Sequence, residues 1–307
     1  MISHLVMSFA LLAVTLSSVT KSAEAQEAQI EATIPRYGYA MRVGFGSLWI
    51  KTNDKLTRIN LADNSITDIP LSEYRAPPGG WFGGMAIGAD TVWVPVPNSI
   101  YKIDAQKNQV EKQITADLAG GGVIEFGEGS VWAITGASRN ELKRFSAETG
   151  AEEAAIALPS RSLGVLAAFG SVWIAGSGND ELYRVDPSSN KIAATIDLGS
   201  GPGPLAAGEG SVWVLNEEDG TVQRIDGTTG AIVATIDTGS IGKGAIDVGG
   251  GFVWVNCRRS PLIQIDPGTN AVRSKLNVEA QEYSTIRYGG GSLWISGSSV
   301  RRIRPPG

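Results

Sequence analysis

Only one histidine, His4, occurs in the 307 residues, and it lies just before an apolar N-terminal run. The body of the chain therefore holds no imidazole for a Ser-His-Asp triad or a His-ligated metal. Acid–base chemistry would fall to carboxylates, lysines, tyrosines or a metal-bound water. Asp180-Glu181 and Glu217-Glu218-Asp219 offer hard oxygen ligands for calcium or magnesium, with Asn216 or Asn256 alongside; a metal centre would draw on Asn216, Glu217 and Asn256. Anion-facing donors are Arg75, Arg161, Lys243 and Arg258, all in loop-like segments. Between Leu71 and Met85 a long glycine- and proline-rich loop carries Trp81-Phe82, which could clamp an apolar or sugar-like ligand or plug a channel mouth. The single cysteine, Cys257, allows no intrachain disulfide. It reads as a small apolar residue near a strand end, or as a thiolate favoured by Arg258 and Arg259.

The elements that must hold these residues repeat. Trp49, Trp93, Trp132, Trp173, Trp213, Trp254 and Trp294 recur at spacings of 44, 39, 41, 40, 41 and 40, each after a glycine-rich turn and within an aliphatic phrase. A strand-like period of roughly 40–45 residues predicts an all-β, seven-bladed β-propeller with four-stranded blades. In the unit beginning at Pro204, Leu205–Ala207 reads as an innermost strand, and Gly208-Glu209-Gly210 as a tight hairpin. Strands at Ser211–Val214, Thr221–Asp226 and Ile232–Ile236 follow. Asn60/Asn64, Asp104/Asn108, Ser146/Gly150, Asp186/Asn190, Asp226/Gly230 and Asp266/Asn270 mark a bulged hairpin between the third and fourth strands, so these acids are turn formers. The last unit stops before its fourth strand, and Gln29–Ile34 matches fourth strands elsewhere. The N-terminal strand is therefore expected to complete the seventh blade and close the ring.

Residues 1–25 read as a secretory signal peptide: Leu5–Val19 is largely apolar, and Ala23-Glu24-Ala25 offers a small-x-small cleavage site. Residues 26–307 are then a single propeller domain, a monomer, periplasmic or secreted, with no further segment able to span a bilayer. A net charge of −5 argues against a nucleic-acid partner. The run Arg301-Arg302-Ile303-Arg304 belongs to a strand, as a solvated face.

The repeat, which reads GEGSVWVLNEEDGTVQRIDGTTGAIVATI over 208–236, resembles the bacterial YVTN-type β-propeller repeats and the related streptogramin (virginiamycin) B lyase-like superfamily. The likeness covers nearly all of residues 29–307 and resides in structural positions. The lyases are metal-dependent ring-opening enzymes that rely on histidines, and this chain has none to carry over. The YVTN-type relatives are mostly exported binding or interaction proteins. The resemblance thus implies an exported, non-catalytic scaffold without a cofactor, taking a small molecule or an envelope protein. Its rival is a lyase or lactone hydrolase using calcium or magnesium.

Overall fold

The computed structural model describes residues 25–38, 40–52, 54–71, 84–96, 98–116, 118, 122–278 and 285–306. They form seven antiparallel four-stranded blades in chain order. Blade 5, for example, comprises Pro202–Gly208, Ser211–Asn216, Thr221–Asp226 and Ile232–Asp237. The innermost strand of each blade packs on the innermost strand of the next, and that of blade 7 returns to blade 1. As expected, Gln29–Ile34 pairs antiparallel with Val300–Arg304 and supplies the missing strand of blade 7. The expected signal peptide lies outside the described residues but for Ala25. That residue opens an unforeseen short strand, Ala25–Glu27, which adds parallel to the outer edge of blade 6.

Local chemistry explains the regularity. The turn between first and second strands needs two left-handed residues, supplied by Glu209 (φ 52°) and Gly210 (φ 69°) in blade 5. At the third-to-fourth turn, Asn64, Asn108, Asn190 and Asn270, or Gly150 and Gly230, take positive φ. The opening acids accept backbone N–H groups, as Asp104 does from Gln106 and Lys107. These bonds, led by the Lys107 ammonium at Asp104 and the Ser189 hydroxyl at Asp186, hold both carboxyls down at about 2. The bulge follows in blades 2 to 6 and at the ring closure, whereas blade 1 pairs without a shift. Second strands are buried on both faces, because neighbouring blades cover each side. The inner strand of blade 5 is longer than expected and bulges between Pro202 and Leu205.

All seven blade tryptophans are buried. Six donate their indole N–H to the carbonyl five residues earlier, at 2.9–3.1 Å. Over five of the rings lies an arginine of the third strand: Arg58, Arg144, Arg184, Arg224 and Arg302, 5.0–5.2 Å from the ring centre. Nε of each holds the serine opening its own second strand at 2.8–2.9 Å. Nη1 of each reaches a carbonyl in the turn of the next blade. Each arginine thus ties a tryptophan, its own blade and its neighbour together. Blade 6 has Gln264 at this place, opposite Trp254. The next blade there is blade 7, whose outer strand arrives from the N-terminus, so there is no such turn for an arginine to reach.

Candidate functional site

The loops joining blades and those joining second to third strands share one face, where loops on a rigid scaffold usually carry function. Arg75 and Trp81 lie outside the described residues. Of the remaining candidates, the structure brings Asn216, Glu217, Lys243, Asn256 and Arg258 together at the junction of blades 5 and 6. Lys243 and Glu217, candidates of rival readings, hold one another: Nζ of Lys243 donates to Oε2 of Glu217. Glu217 is buried, and its Oε1 accepts the Gly244 amide at 3.0 Å. Arg258 is exposed, and its amide donates to the Lys243 carbonyl at 2.9 Å. Asn256 is buried on the strand beside Ala245.

Most acids of this region are tied to backbone. Asp180 accepts the Gly201 amide at 2.8 Å, and Asp219 accepts the amides of Ser200 at 2.9 Å and Thr221 at 3.0 Å. Asn216, fully buried, donates to Thr221 and Gln223 at 2.9 and 2.8 Å, while its Oδ1 has no partner. Among the described residues no three of His, Cys, Asp and Glu converge as a metal site would require. Glu217, the one charged member of the metal set, already faces an ammonium, which a divalent cation would have to displace. Cys257 is buried, and burial, then the Glu217 charge, pushes its thiol up to about 11. Despite Arg258 and Arg259 it is a neutral packing residue, its sulfur against Gly244.

Arg161 sits apart, exposed at the junction of blades 3 and 4. Its neighbour Arg139 escaped notice in the sequence: burial and then the Arg161 charge lower its pKa from the usual guanidinium value. The amide of Ser162 donates to the Arg139 carbonyl at 2.9 Å. A second omission is Lys51, 2% exposed, whose Nζ donates to the Pro95 carbonyl. Burial brings its ammonium down to about 8.

The largest omission lies in the channel. Pairing directly across from the blade tryptophans on the inner strands are Arg42, Ala86, Glu125, Leu166, Ala206, Asp247 and Arg287. Four of the seven are charged. Arg42 Nη2 reaches Glu125 Oε2, two blades away, at 3.2 Å. Nη1 of Arg42 and Nε of Arg287 both donate to the Met41 carbonyl, at 3.3 and 2.9 Å. Asp247 Oδ2 accepts the Tyr288 amide at 2.7 Å. Solvent touches both Asp247 and Arg287, yet protein crowds them on most sides. That crowding raises the Asp247 carboxyl despite the attraction of Arg287 and brings Arg287 down to about 10, with Arg42 repulsion adding. A signal for this ring existed: each member stands seven residues before its tryptophan.

No family model and no curated protein matches the chain. Solved structures do. The β-propeller domain of Cps50 (Swd1) from Myceliophteria thermophila superposes with a TM-score of 0.75 at 11% identity, covering 91% of this chain and 100% of that one. The WD40 β-propeller domain of Doa1 gives 0.73 at 11% identity over 91% and 97%. A chain of the mitotic checkpoint complex gives 0.74 at 12% identity over 99% of both chains. At these identities the likeness establishes the fold, a seven-bladed β-propeller of the shape found in WD40 domains.

Proposed function

We propose that the protein is an exported, non-catalytic binding scaffold whose loop-rich face takes an anionic ligand or an acidic surface of an envelope protein. The observation that carries this is the asymmetry of that face. Asp180, Asp219 and Glu217 are engaged by backbone amides or by Lys243, and Glu181 and Glu218 by side-chain donors, while Arg161 and Arg258 stand exposed. Exposed cations on a rigid rim raise the encounter rate and fix the orientation of an anionic partner. Membership of the YVTN-type group, a monomeric state and a periplasmic or secreted location belong to the same proposal. Among the described residues no helix is long and apolar enough to cross a membrane.

The test titrates a fluorescent polyglutamate peptide against the wild type, the Arg161→Ala/Arg258→Ala double variant and a Lys191→Ala control. The expected result is salt-sensitive binding weakened about tenfold in the double variant and unchanged in the control. Absence of binding to the wild type, or equal binding to all three, overturns the reading.

One observation keeps the enzyme alternative, a lyase or lactone hydrolase, in view. Asn216 Oδ1 is a buried acceptor without a donor, a group that a calcium or magnesium ion could use. If such an ion binds there, a chelator lowers Tm and added calcium restores it; an unmoved Tm removes that reading.

A further inference from the structure

We infer that the channel waist is a binding site for a small oxyanion, a carboxylate or a phosphate, held between the guanidiniums of Arg42 and Arg287. This site is separate from the loop-rich face and stands or falls independently of it. Ala86, Leu166 and Ala206 show that the ring closes with apolar residues at this level. Charges here are therefore no requirement of the architecture, and each costs desolvation free energy. The two arginines come from neighbouring blades, 7 and 1, and converge on one carbonyl, Met41 O. Like charges so placed repel unless an anion lies between or beside them. Glu125 answers Arg42, but among the described residues no carboxylate hydrogen bonds Arg287, whose bonds go to the Met41 and Ile286 carbonyls. Nη2 of Arg287 donates to no group among the described residues. A guanidinium edge with donors to spare, beside a second guanidinium and facing a solvent-touched channel, is suited to an oxyanion.

Asp247 tunes the site. Its own strand, Gly244–Gly249, lies between Pro202–Gly208, which has no titratable residue, and Ile286–Gly289, which brings Arg287. Its hairpin partner Phe252–Cys257 brings only Cys257, at the far end, while Arg42 and Glu125 face it across the channel. As a carboxylate Asp247 competes with the ligand for Arg287; protonated, it does not. Anion binding therefore strengthens as pH falls through the raised Asp247 pKa.

The experiment uses the purified protein, inorganic phosphate followed by 31P line broadening, and succinate followed by saturation transfer. The expected result is broadening or transfer for at least one anion, stronger at pH 5 than at pH 8. Phosphate alone would identify a phosphoryl ligand, succinate alone a carboxylate. Arg287→Met abolishes the signal, while Asp247→Asn tightens binding several-fold and removes the pH dependence that remains after the anion's own titration is subtracted. Should Arg287→Met fail to fold, the sign of the Asp247→Asn effect decides alone. No response to either anion up to about 10 mM, tenfold above a millimolar Kd, overturns the proposal. So does an unchanged signal in folded Arg287→Met, or weaker binding by Asp247→Asn.

Discussion

Asp247 is the residue at which burial and pairing oppose each other most openly. Arg287 and the Tyr288 amide favour its charged form, yet desolvation wins and its pKa lies above the ordinary carboxylate value. The folded chain then binds more protons than the unfolded chain near that position, so the Asp247 contribution is greatest below about pH 4 and is lost as pH rises towards its folded pKa. Asp247→Asn is expected to raise Tm at pH 7 by about 2–4 °C and to leave it unchanged near pH 3. Thermal unfolding at the two pH values checks this, and a lower Tm at pH 7 would show that Arg287 needs the counter-charge more than the carboxylate needs water. Sequence reading missed Asp247 and its three channel neighbours because it sought function in loops, whereas these charges sit inside short strands. What it saw at residue scale was what turn chemistry dictates: Asp104, Asp186 and Asp226 as turn openers, and Cys257 as packing.

At the scale of elements the repeat itself was legible, because tryptophan spacing and turn residues are local signals. The inter-blade arginine was not, since its partners are a serine on its own blade and a turn of the next blade, 43–47 residues onward for four of the arginines and 241 residues back for Arg302, a relation that only the assembled ring shows. Once seen, it explains residue choices that local rules leave open. The turn-closing asparagines serve twice: Asn64, Asn108, Asn190 and Asn270 take positive φ, and each also accepts Nη1 of the preceding blade's arginine, at 2.9–3.3 Å. Gly230 takes the same backbone shape without the acceptor, so Nη1 of Arg184 has only the Thr228 carbonyl in that turn. A Cβ on Gly230 would meet its nearest atom at 3.4 Å, whereas on Gly150 it would fall 2.5 Å from Ile114. Gly230→Asn is therefore expected to stabilise by about 0.5–1.5 kcal/mol through the new hydrogen bond. Gly150→Asn is expected to destabilise through overpacking. Denaturant midpoints of the two variants check the pair, and a shared sign would show that the left-handed turn alone decides both.

For the whole molecule the question is what holds a ring that the chain does not close covalently. Six blades have their third and fourth strands joined by a turn, and the seventh relies on Gln29–Ile34 pairing with Val300–Arg304. That closure was readable from the truncated last repeat, although the three-residue strand on blade 6 was too short to announce itself. Glu31 occupies the bulge of the closing pair and bonds Ser292 and Arg304 at 2.9 Å, with Arg302 at 3.2 Å. Glu153 holds the equivalent bulge in blade 3 and bonds Arg144 at 3.1 Å. The local chemistry matches and only the connectivity differs. Losing the pair in blade 3 leaves a hairpin, whereas losing it in blade 7 releases a terminal strand and exposes an edge, a local opening that needs no global unfolding. The bonds to Arg304 and Ser292 lower the Glu31 pKa, so its stabilisation is present above the ordinary glutamate value and is lost as pH falls through the lower folded pKa. Glu31→Gln is thus expected to lower Tm at pH 7 more than Glu153→Gln does, with the difference vanishing as the pH drops below about 4. Hydrogen exchange should quicken in 29–34 and 300–304 of the first variant and stay slow there in the second. Equal losses in both would mean that the N-terminal strand is held by its neighbours' packing and that the ring has no weak seam.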